Sequence, residues 1–376
     1  MSSIGIVDHV GSKSGMDIYD ISLAQGIVRE REVYILSNFL AGSLNTSGIK
    51  VKKKFDLKED GGPVFKKAMY FFKGFLRSFI YLKKNKCPNI IIHAFSFELK
   101  DWIILFVAKY FFGFRILLIV HDVSGFAEND IKSVKKSMLN TLTDNILVHN
   151  DFSKSELIQH RINKEKISTI RHGGYIDYVN SEIDRGTALE FLNLDKDHRY
   201  ILFFGQIKEV KGLDLLLRAF ARCTENCPKI KLIIAGKPWK DSFSKYDQLI
   251  DELQLKEKVV LMTRFITDEE KDNLFSVATC VVIPYRKIYQ SGVLLTAISY
   301  PSLVLCSNLA PNREIIIDGV NGFLFESEDV ESLEKKLTKV LTMEHDELSL
   351  IRNRALSTVQ KEYTWEYAAK EILKII

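Results

Sequence analysis

At 376 residues the chain is too long for one ordinary core and about right for two. A composition of 46% hydrophobic and 27% charged residues excludes a disordered chain. The five cysteines (Cys87, Cys223, Cys227, Cys280, Cys306) are odd in number and scattered through apolar segments, which excludes a disulfide framework and fits a reducing cytosol. Charge is uneven: residues 1–180 hold 26 Lys and Arg against 18 Asp and Glu, and the remainder 27 against 30. The basic half is expected to face something anionic.

Taken in chain order, Ile4–Val7 reads as a strand opening the chain with no signal peptide before it. A loop from Gly11 to Gly15 and a helix over about Met16–Glu30 follow. Further strands are Val33–Leu36, Asn89–His93, Arg115–Val120, Asn145–Val148 and Ile167–Ile170. They are short, continuously apolar and rich in β-branched residues, the pattern of strands buried on both faces. The most apolar stretch, Ile103 to Val120, contains Lys109 and Arg115 and reads as a helix and a strand rather than a membrane span. Between residues 66 and 84 the cations Lys66, Lys73, Arg77 and Lys84 fall within about 40° of one another on a helix. Phe71, Phe72, Phe75, Phe79 and Ile80 flank them, so this helix is expected to lie on an anionic membrane surface.

A second series then begins, with strands at Tyr200–Phe204, Lys231–Ala235, Val259–Met262, Cys280–Ile283 and Ser302–Cys306. Helices are expected at Leu213–Cys223, Val330–Thr342 and Leu356–Ile376. Strand–helix alternation twice over predicts an α/β chain of two Rossmann-like doubly wound parallel-sheet domains facing a cleft. The expected domains are residues 1–178 and 179–355, with helix 356–376 packing back on the first. In such sheets ligands bind beyond the carboxyl ends of the strands.

Three segments carry the chemistry. In Phe203-Phe-Gly-Gln-Ile-Lys-Glu-Val-Lys-Gly-Leu-Asp214 a strand runs through Gly205 and Gln206 into a loop with Lys208 and Lys211, and Gly212 then starts a helix. Two ammonium groups there suit a diphosphate. In Pro284-Tyr-Arg-Lys-Ile-Tyr-Gln-Ser-Gly-Val293, Ser291 caps a helix whose first amides, with Gln290, Gly292 and Val293, suit a phosphate anion. The third, Glu314 through Asp318-Gly-Val-Asn-Gly322, holds two tight-turn dipeptides. In the first half, His121 closes a strand and is expected at the ligand edge of its sheet; His93 and His172 are read as structural.

These segments resemble, in order and over nearly the whole chain, the family-4 glycosyltransferases of GT-B fold. The resemblance implies transfer of a hexosyl unit from a nucleoside-diphosphate sugar to a hydroxyl of a glycan or lipid-linked acceptor, in cell-surface polysaccharide or glycan assembly, with retention of configuration. It implies donor contacts at Gly205, Gln206, Lys208, Lys211, Gln290, Ser291, Gly292, Val293 and Glu314, and catalytic roles for His121 and Lys211. Gly11 and Gly15 are expected to touch the diphosphate or the acceptor. No metal and no other cofactor is expected, and the protein is expected in the cytoplasm, peripherally on the inner face of the cell membrane. Two departures stand out: Gln206 occupies the place of a frequent arginine, and Ile288 and Thr296 replace the family's paired glutamates. The rival reading from that second departure is a non-catalytic sugar-nucleotide binder or partner subunit. A nucleic-acid protein is disfavoured because the cations lie among aromatics at helical spacing. An NAD enzyme is disfavoured because no strand leads into Gly-x-Gly-x-x-Gly.

Overall fold

A computed structural model describes residues 3–40, 47–56, 64–95, 97–123, 133–239 and 242–376. The chain divides into two compact units, Met1–Gly173 with Tyr363–Ile376, and Gly174–Glu362.

The first unit is built on a seven-stranded parallel sheet in the order β3-β2-β1-β4-β5-β6-β7. Its strands are β1 (Ile4–Val7), β2 (Val33–Ser37), β3 (Ile49–Lys53), β4 (Asn89–Ala94), β5 (Arg115–Val120), β6 (Asn145–Val148) and β7 (Ile167–Thr169). Helices α1 (Met16–Ile27), α2 (Val64–Lys84), α3 (Leu99–Phe106), α4 (Ser133–Ser137) and α5 (Asp151–Gln159) connect them. Strand β3 escaped the sequence reading because it lies at the sheet edge: Ile49 and Val51 turn inward while Lys50 and Lys52 face out. The switch in strand order falls between β1 and β4, so the loops leaving those two strands diverge over the same spot.

Helix α2 corrects the expected membrane face. Phe71, Phe75, Phe79 and Leu82 are buried in the core, and Gly5 on β1 leaves the space that the Leu82 methyls fill. Among the apolar residues left exposed, Phe65, Met69, Leu76 and Ile80 form a stripe at spacings of 4, 7 and 4 beside the cations. Among the described residues, no helix is long and apolar enough to cross a membrane.

The second unit holds a six-stranded parallel sheet, β10-β9-β8-β11-β12-β13. Its strands are β8 (Arg199–Phe204), β9 (Ile230–Ala235), β10 (Val259–Met262), β11 (Ala278–Ile283), β12 (Val304–Ser307) and β13 (Phe323–Phe325). Around it lie α6 (Arg185–Phe191), α7 (Leu213–Asn226), α8 (Ser244–Glu252), α9 (Asp268–Val277), α10 (Gly292–Ser299), α11 (Ala310–Arg313), α12 (Val330–Thr342) and α13 (His345–Glu362). Leu213, Leu216, Leu217 and Phe220 of α7 pack with Leu333, Leu337 and Val340 of α12 over the strands. The order switches between β8 and β11.

The terminal helix expected over 356–376 is two helices, α13 and α14 (Trp365–Leu373). They break at Tyr363–Thr364, where the Thr364 hydroxyl caps α14 by accepting a bond from the Tyr367 amide. Helix α14 packs on α1 in the first unit.

Candidate functional site

In the second unit the two loops singled out by the sequence leave adjacent strands at the switch point. One runs from Gly205 to Gly212 after β8, the other from Pro284 to Ser291 after β11. They meet closely: a Cβ on Gly205 would stand 3.2 Å from Val293 Cγ2, and one on Gly212 would stand 1.9 Å from the Pro284 carbonyl oxygen. Gly212 has a φ of 65° as well, so both space and backbone demand glycine there.

The two lysines rest on aromatic faces. Lys211 Nζ is 3.6 Å from the centre of the Tyr285 ring, and Lys208 Nζ is 4.6 Å from that of Trp239. Gln206 is exposed at the loop's start. Arg286, which the sequence reading passed over, ties the loops together. Its guanidinium donates to both carboxylate oxygens of Asp214 at 2.9 and 2.7 Å and to the Glu209 carbonyl at 2.8 Å. Its amide donates to the Val210 carbonyl at 2.9 Å. Burial pushes the Asp214 carboxyl up, but the bonds from Arg286 outweigh it and hold the pKa below the ordinary value. A fixed fork of this kind sets the course of the backbone that carries Lys208 and Lys211.

Ser291 caps α10, its hydroxyl accepting from the Leu294 amide at 3.1 Å. Among the described residues, the amides of Gly292 and Val293 have no acceptor, and the buried Gln290 Nε2 has none either. A buried N–H donor left without a partner is costly, and an acceptor arriving with a ligand would satisfy it. Ile288 is buried and Thr296 half-buried, so neither supplies the carboxylate that the resemblance would put there. Glu314 is exposed at the end of α11, beyond β12. The Asp318–Gly322 turn uses its own polar groups: Asp318 accepts from the Leu324 amide and from Lys336, and Asn321 accepts from the Ile317 amide.

In the first unit the four adjacent strands β4, β5, β6 and β7 each carry a histidine at their carboxyl end or within three residues beyond it: His93, His121, His149 and His172. All four rings pack edge-on around Tyr19 of α1, with centroids 5.1 to 5.7 Å from its ring, and Trp365 of α14 closes the group at 4.8 Å. His93 Nδ1 and His121 Nε2 share a hydrogen bond of 2.9 Å, and Phe95 stacks on His121 at 4.4 Å. His93 Nε2 also lies 2.9 Å from Asp20 Oδ1, without the alignment of a good hydrogen bond. Burial lowers the pKa of all four, to about 4 for His93, about 3 for His149, about 4 for His172, and well below the ordinary value for His121. They are neutral imidazoles at physiological pH.

Beside them Asp8, at the end of β1, is buried, as is Asp20 of α1. Burial, with the charge of Asp20 added, raises the Asp8 pKa to about 7, and burial raises Asp20 well above the ordinary value. Asp8 also accepts from the amides of Val10 at 2.8 Å and Gly11 at 2.6 Å, and Asn38 accepts from Ser12 at 3.4 Å. The first amides of the Gly11–Gly15 loop are therefore occupied from within. A cavity of about 180 Å³ opens beside it, where His9 and Asn38 meet Asp56, Tyr70 and Phe71.

Residues 184–356 match the model of the family described as Glycosyl transferases group 1. A D-inositol 3-phosphate glycosyltransferase of Mycolicibacterium smegmatis is 23% identical over 250 residues, covering 65% of this chain and 55% of that protein. The chain spans about half the length of the curated relatives it matches. Among solved structures, Anabaena HepE in complex with UDP and glucose superposes with a TM-score of 0.78 at 16% identity, covering 100% of this chain and 99% of that one. The sucrose-phosphate synthase of Thermosynechococcus elongatus gives 0.78 at 17% identity, covering 100% and 98%. The chain thus has the two-unit GT-B fold, and its similarity to the group 1 glycosyltransferase model lies in residues 184–356, within the second unit.

Proposed function

We propose that the protein is a retaining glycosyltransferase that moves a hexosyl unit from a nucleoside-diphosphate sugar to a hydroxyl of a glycan or lipid-linked acceptor. The observation that carries this reading is the convergence of Lys208, Lys211, the unpartnered Gln290 amide and the free amides of Gly292 and Val293 on one switch point. HepE, of like fold, was crystallised with UDP and glucose and with UDP-glucose, which supports such a donor.

As the glycosidic bond breaks, the anomeric carbon becomes oxocarbenium-like and negative charge grows on the leaving diphosphate. Lys211, Lys208 and the α10 amides stabilise that charge without a metal ion. Glu314 and Gln206 complete the contacts to the donor. A catalytic role for His121, neutral and fixed by His93 and Phe95, follows from the resemblance to family-4 glycosyltransferases. The acceptor attacks on the leaving-group face and passes its proton to a donor phosphate oxygen. The cavity beside the Gly11–Gly15 loop, with a carboxylate, an amide and aromatic rings, suits a sugar hydroxyl acceptor. The exposed stripe of α2, with its cations, suits an anionic bilayer from which a lipid-linked acceptor is drawn.

Incubation with candidate nucleoside-diphosphate sugars and acceptors, following released nucleoside diphosphate and the anomeric configuration of the product, tests the reading. Lys211→Ala is expected to cost roughly 10²–10³ in turnover, about 3–4 kcal/mol, with the fold intact, and excess chelator is expected to leave the rate unchanged. Full activity in the variant removes Lys211 from the mechanism, and loss of activity on chelation removes the metal-free scheme. A protein that binds donors but never turns them over is the non-catalytic alternative.

A further inference from the structure

At the opposite edge of the second unit's sheet, where β8 and β11 begin, lies a cavity of about 400 Å³. It is distant in the fold from the loops just described, which leave the carboxyl ends of the same two strands. Four cations line it: Arg185, Lys196, Arg199 and Arg352. The lining contributes a single carboxylate, Asp197. Among the described residues, none of the four cations lies within 4.0 Å of a carboxylate oxygen.

Each guanidinium is instead held in place by a backbone carbonyl. Arg185 donates to His198 O at 2.8 Å, Arg352 to Thr279 O at 2.9 Å, and Arg199 to Leu341 O. One carbonyl fixes a guanidinium but uses only one of its five N–H donors. The Nε of Arg352 is buried without any acceptor. Burial lowers the proton affinity of Arg352, and the nearby charge of Arg199 lowers it further. The group nonetheless stays charged, because a guanidinium does not give up its proton in proteins. Positioned, partly desolvated like charges with no carboxylate in ion-pair contact are an unfavourable arrangement that an anion would relieve. The lining also includes the apolar side chains of Val277, Met343 and Leu348, so the anion would carry an organic part to cover them.

We propose that this cavity binds a small phosphate ester, its phosphate held by Arg185, Arg199 and Arg352 and its organic part set against Met343 and Leu348. This second site neither requires nor follows from the proposed transfer reaction. Calorimetric titration of the full chain tests it with three probes: phenyl phosphate, glucose 6-phosphate and inorganic phosphate. One of the two esters is expected to bind saturably and at least about tenfold tighter than inorganic phosphate. Which ester binds tells an aromatic from a sugar moiety. The exposed pair Arg185→Ala with Lys196→Ala, and separately Arg352→Gln, is expected to weaken that binding about tenfold or more, while Lys211→Ala leaves it unchanged. The proposal is overturned if no probe saturates, if both altered cavities bind as well as the original, or if Lys211→Ala abolishes binding. Equal affinity for inorganic phosphate overturns the assignment of an ester.

Discussion

Arg286 is the side chain on which the arrangement of the lysine loop most depends, and it touches no proposed ligand. It spans from the loop after β11 to Glu209, Val210 and Asp214 through three side-chain bonds and one backbone bond. Removing it leaves the half-buried Asp214 without its partner, at a cost of about 3 kcal/mol or less given the exposure of the pair. Arg286→Ala is therefore expected to lower turnover about tenfold or more through misplacement of Lys211, and Arg286→Lys to recover only part of it, because an ammonium cannot make the fork. Steady-state kinetics beside circular dichroism checks this, and an Arg286→Lys protein with full activity would contradict it. At this scale the sequence was partly legible. Lys211, Ser291 and His121 could be singled out because each sits beside a glycine or at a strand end, and Lys208 because it shares the short loop between Gly205 and Gly212, where local pattern carries information. Arg286, Asp8, Asp20 and His149 could not, because their partners lie on other elements. The one available signal was that Val148-His149 repeats the strand-to-histidine ending of Ile92-His93 and Val120-His121.

Among the elements, α2 shows how periodicity can identify a helix while misassigning its faces. A helix with cations on one stripe has apolar residues on both sides of it, and only the position of the sheet decides which side is core. Phe71, Phe75 and Phe79 went inward, leaving Phe65, Met69, Leu76 and Ile80 outside. Lys73 and Lys84 are exposed beside that stripe, while Arg77 also pairs with Asp56 at 3.4 Å. Binding to vesicles containing anionic lipid is expected to weaken about thirtyfold on replacing Lys73 and Lys84 by Gln, at about 1 kcal/mol per cation. It is expected to weaken again with Leu76→Ser. Co-sedimentation reads both, and affinity that ignores these changes while following salt alone would remove α2 as the contact. The strands missed from sequence, β3 and β13, are short: one alternates with lysines at an edge, and the other has only three residues. Continuous apolar runs were the readable signal, and neither has one of any length.

For the molecule as a whole, the histidine cluster makes stability depend on acid. A buried histidine whose pKa is lowered contributes stability that is complete above about pH 6.5, where the unfolded chain is also neutral, and that is lost as the pH falls toward the folded values of about 3 to 4. Asp8 and Asp20 act in the opposite sense, since carboxyls with raised pKa favour the folded state at low pH, and for Asp8 this is lost as the pH rises through about 7. Four imidazoles outweigh two carboxyls. The melting temperature is therefore expected to fall between pH 6.5 and 4, with a shallower slope in His149→Gln. Calorimetry across that range checks the prediction, and a flat or rising profile would contradict it.

The return of the chain to its first unit has a consequence for biosynthesis. Residues Gly174–Glu362 are continuous, whereas the first unit needs Trp365, Ala368, Ala369 and Ile372 to complete its core. Gly26 of α1 is bare so that α14 can seat there, a Cβ at that position standing 2.8 Å from the Trp365 carbonyl oxygen. On the ribosome, the Gly174–Glu362 unit can close as soon as it emerges, while the unit begun before it waits, incompletely sealed, for Tyr363–Ile376. Until they arrive, the apolar seat for Trp365 beside Tyr19 is open to water and to chaperones.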